Sequence, residues 1–240
     1  MNNVCTCDFH THILPSIDDG AKSTDMSISL IKLEIEQGVK QLCFTPHFSS
    51  EDSTEEFINK RNTALELLNS EIERLNLKSV PKFYTGAEIA LDYKTPEING
   101  LEKLCIGETD LLLLEPPYSY WGEWIPDVIY RISAKLSLTP VIAHADRYID
   151  NKQSLKILNN LADMDVLMQF NSYNLTNSKT RSLIKKILSR GKVPFIGSDA
   201  HNPKFRSVTM NHTQSLKCRL FLPDDLIEKV NLQSEDLLKK

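Results

Sequence analysis

At 240 residues, 41% hydrophobic and 25% charged, the chain has the size and composition of one large soluble domain with a well-buried core. A net charge of −4, with no lysine- or arginine-rich block, leaves no basic surface for nucleic acid. Five cysteines without framework spacing argue against a disulfide-stapled fold, and no apolar run approaches membrane-spanning length.

Met1-Asn2-Asn3 carries no basic region and no apolar run follows it, so the expectation is a cytoplasmic chain without a signal peptide. Residues 4–9 then read as a strand. Alternation along it sets Cys5 and Cys7 on the face opposite His10 and His12, as small apolar residues packed behind the strand. A helix over 24–37 ends at Gly38, and a strand follows over 41–45. Phe57, Ile58, Leu65, Leu68, Ile72 and Leu75 give a helix over 54–75. Strands at 82–85 and 110–114 precede a helix over 124–136, with Pro126 in its first turn. The alternation continues as strand 140–143, helix 152–161, strand 166–170, helix 177–189 capped by Gly191, and strand 194–197. Residues 223–230 and 234–238 read as short helices. About seven strand/helix units, with no repeat and no composition break, predict one α/β domain over 1–240 with a parallel sheet, either a closed barrel or an open doubly wound sheet.

The polar residues choose between the two. His10, His47, Glu88, Glu115, His144 and Asp199 each fall at or just past the carboxyl end of a different apolar run. A barrel brings those ends to one mouth, whereas an open sheet spreads them along an edge. Imidazoles and carboxylates are ligands of divalent transition metals, and their repetition points to a metal-dependent enzyme. Asp8 shares the parity of His10 and His12, so it is expected to orient a ligand imidazole. His212 matches no motif and reads as a structural residue.

The order His10-x-His12, Ile17-Asp18-Asp19-Gly20, Thr45-Pro46-His47, Gly86-Ala87-Glu88, Ile142-Ala143-His144-x-x-Arg147 and Ser198-Asp199-x-His201-Asn202 resembles the PHP (polymerase and histidinol phosphatase) superfamily. Within it the chain resembles the bacterial protein-tyrosine phosphatases of capsule and exopolysaccharide loci, Glu115 standing where other branches use histidine. The resemblance implies a distorted TIM-like (β/α)7 barrel with its metal site at the carboxyl ends of the strands. It also implies three divalent ions, manganese first, with iron or zinc as alternatives. Carried over by position, His10, His12, Glu88 and Asp199 hold one ion, Glu88, Glu115 and His144 a second, and Asp19, His47 and His201 a third. Asp18 stays open as a substitute for Asp19 or as a turn residue. Ala145-Asp146-Arg147 departs from the family pattern, which carries the longer glutamate where Asp146 stands.

Three divalent ions outweigh four carboxylates, so with Arg147 and Arg206 the pocket is cationic although the protein is acidic. The resemblance gives both arginines the role of binding phosphate oxygens, for which a planar fork suits. The chemistry read from this set is in-line attack on phosphorus by a metal-bridging hydroxide. No Cys-x5-Arg loop is present for a thiol intermediate. The implied substrate is a phosphotyrosine protein, the tyrosine-rich tail of a kinase that regulates polysaccharide export. A PHP phosphatase of a small metabolite such as histidinol phosphate, and a non-catalytic metal-stabilised kinase-binding module, are the rival functions. Tyr118, Tyr120, Trp121 and Trp124 directly follow Glu115 and read either as a wall for an aryl phosphate or as anchors of the loop on the rim.

Overall fold

The computed structural model describes residues 4–118 and 121–238, so Ser119 and Tyr120 of the aromatic loop lie outside the described residues. Its elements run β1 (Cys7–Thr11), α1 (Thr24–Glu36), β2 (Gln41–Phe44), β3 (His47–Phe48), α2 (Thr54–Arg74), β4 (Lys82–Thr85), β5 (Glu88–Ala90) and β6 (Leu111–Glu115). They continue with α3 (Trp124–Leu136), β7 (Thr139–Ile142), α4 (Lys152–Leu161), β8 (Leu167–Asn171), α5 (Ser178–Leu188), β9 (Phe195–Gly197), α6 (Leu216–Phe221) and α7 (Leu226–Leu238). The helix starts have local causes. Ser23, Ser53, Asn151 and Asn177 each accept a hydrogen bond from a first-turn backbone N–H of α1, α2, α4 and α5.

Every strand pairing is parallel, in the orders β1-β2-β4 and β3-β5-β6-β7-β8-β9. The two ladders continue into one another across Pro46 and Gly86-Ala87, where Gly86 N donates to Phe44 O at 2.8 Å and Glu88 N to Pro46 O at 3.0 Å. At the other side Asp199 N donates to His10 O and His12 N to Ala200 O, both at 2.9 Å. The result is a mixed α/β fold around a curled parallel sheet. Cys7, Phe9, Cys43, Tyr84, Leu111, Leu113, Val141 and Phe195 form one buried cluster drawn from six strands, which places them on its concave side. The larger apolar cluster packs the helices onto the outside.

Two expectations at β1 are corrected. Cys7 belongs to the concave cluster rather than packing behind the strand, because the register shifts between Asp8 and Thr11 and breaks the alternation. Asp8 orients no imidazole. Its Oδ1 accepts from the backbone N–H groups of Ser198 at 2.9 Å and His10 at 3.3 Å, tying β1 to the end of β9. The tail also differs: one helix, α7, replaces the two short ones, and α6 precedes it.

Gly197 makes the histidine position possible. Phe9 stacks on Phe195 with ring centroids 3.8 Å apart, and His10 sits over the next inward position of β9, where there is no side chain. A Cβ on Gly197 would lie 2.7 Å from His10 Cβ and 2.9 Å from His10 N, far inside contact distance. Gly197→Ala is therefore expected to destabilise the fold by about 1–3 kcal/mol in urea denaturation with chelator present. An unchanged midpoint would show that His10 has room to move.

Candidate metal centre

Each candidate ligand comes from a strand end or the turn beside it. His10 and His12 leave β1, His47 opens β3, Glu88 opens β5, and Glu115 closes β6. His144 follows β7, and Asp199 and His201 follow β9. His144 and Asp199 hold left-handed backbone, with φ of 47° and 57°. That conformation is uncommon outside glycine and marks a backbone held by its surroundings.

Glu88 is the hub. Its Oε2 lies 3.1 Å from His47 Nδ1, 3.2 Å from His12 Nε2 and 3.3 Å from His10 Nε2, and its Oε1 lies 2.8 Å from His144 Nε2. Four sets of ligand atoms lie within 4.8 Å of one another: His12, Asp19, His47 and His201; His10, Glu88 and His144; His10, His12 and Asp199; and His47, Glu88 and Glu115. All nine sequence-predicted ligands thus meet in one place. Glu115 and His144, however, share no set, and Glu115 Oε1 is turned to Arg147 Nη1 at 2.7 Å. His212 is exposed and joins none of them.

The adjacent acids divide their work. Asp18 Oδ2 lies 2.7 Å from His12 Nδ1 and accepts from His47 N at 3.1 Å, while its Oδ1 accepts from Gly20 N at 2.9 Å. Asp19 Oδ1 instead faces His201 Nε2 at 3.2 Å and His47 Nε2 at 3.3 Å. Asp18 orients an imidazole from outside the cluster, whereas Asp19 points into it.

Gln169 and Asn171 are functional residues that the sequence reading missed. Gln169 Oε1 accepts the backbone N–H of His144 at 2.8 Å, which fixes its other atom as the donor to Asn171 Oδ1 at 3.2 Å. With both amides fixed, His10 Nδ1 faces Gln169 Oε1 at 3.3 Å and His144 Nδ1 faces Asn171 Oδ1 at 3.1 Å. His12 Nδ1 faces Asp18, and His201 Nδ1 faces the Asp199 carbonyl at 2.8 Å. All four partners are acceptors, so each Nδ1 carries a proton and each Nε2 is left to face the cluster. The missed signal was the pair of polar residues spaced two apart in an apolar strand. Asp146, the departure from the family pattern, accepts from Asn171 N at 2.8 Å and from Asn174 Nδ2 at 2.7 Å, so it fixes the end of β8.

The charge state bears on whether a cation fits. Buried Glu88 Oε2, Asp199 Oδ1 and His201 Nε2 make no hydrogen bond, so charged and lone-pair atoms converge without protein donors to satisfy them. Burial pushes Glu88 up, but the His10 and His144 charges outweigh it and hold the carboxyl well below its usual range. Burial opposes the shift at Asp199 too, and His144, His10 and His12 lower it. For His12, burial is overcome by the adjacent Asp18 and Glu88 carboxylates, which raise its pKa to about 10. For His10, burial dominates and lowers it. Imidazole and carboxylate donors left this way fit divalent transition ions.

Both predicted arginines reach this centre. Arg147 Nη2 lies 3.3 Å from Asp199 Oδ2, and Arg206 Nη2 lies 2.7 Å from the same oxygen. In the aromatic loop the two tryptophans take the rim-anchor alternative. Trp121 is buried, donates Nε1–H to Pro117 O at 3.0 Å and packs on Tyr148, and Trp124 packs on Tyr93. These rings anchor the rim, because burying indole area there outweighs exposing it.

A curled parallel α/β fold with a histidine–carboxylate centre at its strand ends defines the class. The profile of the family described as capsular polysaccharide synthesis, CpsB/CapC, matches residues 6–230, and the chain belongs to that family. Tyrosine-protein phosphatase YwqE of Bacillus subtilis is 27% identical over 212 residues, covering 86% of this chain and 80% of YwqE. Tyrosine-protein phosphatase CpsB of Streptococcus pneumoniae is 28% identical over 216 residues, covering 81% and 82%. A crystal structure from work on YwqE and CpsB, described as unique metal-dependent tyrosine phosphatases, shares the fold with a TM-score of 0.80 at 22% identity, over 97% of this chain and 94% of that one.

Two predictions follow from the imidazole geometry. Gln169→Leu is expected to weaken divalent-ion binding about 10–100-fold by calorimetry, since it frees the His10 ring and leaves His144 N unpaired. Unchanged affinity would remove Gln169 from the centre. Because the ion-free His12 keeps a proton up to a pH of about 10, ions compete with protons below that pH. Ion affinity should therefore rise with pH from 6 to 9, with proton release at pH 7 read as buffer-dependent binding enthalpy. A pH-independent affinity would show that His12 ligates nothing.

Proposed function

We propose that this chain is a metal-dependent protein-tyrosine phosphatase, a phosphoric monoester hydrolase acting on a kinase that regulates polysaccharide export. The observation that carries the reading is the convergence of imidazoles and carboxylates on buried Glu88, with Arg147 and Arg206 at the rim. The names of its relatives supply the substrate class, and the family description supplies the setting.

On this reading residues 1–240 form one domain, which the continuous apolar cluster from Cys5 to Val230 supports. The sheet is a (β/α)7 barrel, which the hydrogen bonds between β1 and the end of β9 favour. Among the described residues no helix is long and apolar enough to cross a membrane. Five free, buried cysteines suit the reducing cytoplasm.

The residues would hold three divalent ions, manganese first and iron or zinc as alternatives. His10, His12, Glu88 and Asp199 form one position, Glu88, Glu115 and His144 the second, and Asp19, His47 and His201 the third. When bound, such ions polarise phosphoryl oxygens and make hydroxide available near neutral pH. The chain's own residues do the rest. Arg147 and Arg206 already stand in ion pairs with Glu115 and Asp199, so both forks are held where a phosphate dianion can exchange for a carboxylate. The phenolate of tyrosine is a fair leaving group and needs little protonation. Burial raises the Cys5, Cys105 and Cys218 thiols, and a hydrogen bond with Cys43 together with burial raises Cys7, which suits no thiolate nucleophile.

The test is phosphate release from a phosphotyrosine peptide and from histidinol phosphate by chelated protein reloaded with manganese. Release from the peptide is expected, with kcat/KM lowered about 10²–10³-fold in Arg147→Ala. Preference for histidinol phosphate would contradict the substrate assignment, and release from neither would leave a binding module.

A further inference from the structure

Beside the centre lies a cavity of ≈ 330 Å³ lined by Tyr173, Ser198, Asp199, Phe205, Arg206, Ser207 and Thr209. It contains both a candidate ion ligand, Asp199, and an arginine assigned to phosphate. Two of its other lining residues, Tyr173 and Phe205, are aromatic, and Ser198, Ser207 and Thr209 carry hydroxyls. A group bound through phosphate at the centre therefore has a direct path into a partly aromatic pocket.

Neither aromatic side chain serves the core. Phe205 is 92% exposed and Tyr173 45% exposed. Yet neither hangs on a loose segment. Asn202 Oδ1 accepts from Lys204 N at 3.0 Å and Phe205 N at 2.8 Å, and His201 N and Asn202 N both donate to Arg206 O, at 2.7 and 3.1 Å. That turn presents Phe205 and Arg206 together. Tyr173 OH accepts from Asn171 Nδ2 at 3.2 Å, so the network that sets the His144 tautomer also holds the Tyr173 ring. A solvent-facing phenylalanine fixed beside Arg206 costs apolar exposure that a partner ring would relieve.

We infer that Tyr173 and Phe205 form the subsite for the aryl ring of the phosphomonoester, with Arg206 between ring and phosphate. The inference rests on the phosphatase reading and deepens it by naming what selects an aryl over an alkyl ester. It replaces the loop after Glu115, whose tryptophans are committed to the rim. Phe205 also borders a second cavity, lined by Asp19, Lys22, Met26 and Lys204 among others. That cavity lacks Arg206, so the ring is assigned to the first.

Binding without turnover tests the assignment. Phenylphosphonate and methylphosphonate differ in the ring alone, and calorimetry on manganese-loaded protein gives their Kd ratio. Preference for phenylphosphonate of about tenfold is expected in the native chain, collapsing toward unity in Phe205→Ala and kept in Tyr118→Ala. The same pattern is expected in kcat/KM for phosphotyrosine against phosphoserine peptides. Equal affinity for the two phosphonates, or a preference lost in Tyr118→Ala and kept in Phe205→Ala, would overturn the aryl subsite and leave the phosphatase reading standing. Binding of neither phosphonate would overturn both.

Discussion

Two ring nitrogens, His10 Nε2 and His12 Nε2, face one another at 3.0 Å in a fully buried pocket, and the rest of the centre is built around that approach. Each ring has its Nδ1 proton committed to an outer acceptor, Gln169 for His10 and Asp18 for His12. Two lone pairs at that distance repel unless a positive charge lies between or beside them. Without an ion a proton on His12 supplies it: against burial, Asp18 and Glu88 raise His12 to about 10, while burial lowers His10. On the proposed reading a divalent ion would do the same for both rings at once, with Glu88 and Asp199 as its other ligands. The protonated and loaded forms are thus two solutions to one electrostatic problem.

Holding the rings in that arrangement falls to backbone and amide groups outside the cluster. The His144 N–H sets the orientation of Gln169, Gln169 sets Asn171, and these amides set the tautomers of His10 and His144. Asp8 ties β1 to β9 beneath the rings, and the missing side chain at Gly197 leaves the space that His10 fills. The left-handed backbone at His144 and Asp199 is the strain this precision tolerates. Ligands fixed before ions arrive bind with less loss of conformational freedom.

The major strands and helices were legible because their apolar periods are long enough to count. The helices at 124–136 and 152–161 start and stop where the sequence pattern places them. By contrast, β3 and β5 hold two and three residues, too few for a period, and only the hydrogen-bonded partners of Pro46 and Gly86 reveal them. The candidate ligands stood out as polar residues ending apolar runs. The division between Asp18 and Asp19 did not, since adjacent residues of one turn differ only in direction. Gln169 lay inside the predicted strand and Asn171 just past its end, and both looked like ordinary polar substitutions. Phe205 sits in an irregular segment and Tyr173 in a three-residue 3-10 turn, where sequence spacing says nothing about which cavity a ring borders.

The central claim is that Glu88 joins neighbouring cation positions. Its most direct test is anomalous diffraction from crystals of manganese-loaded protein at the manganese edge. The account predicts three peaks around Glu88, with His10 and His12 bound through Nε2 and Gln169 still on the His10 Nδ1 side. A single peak, or peaks away from Glu88 with the His10–His12 approach unchanged, would contradict it.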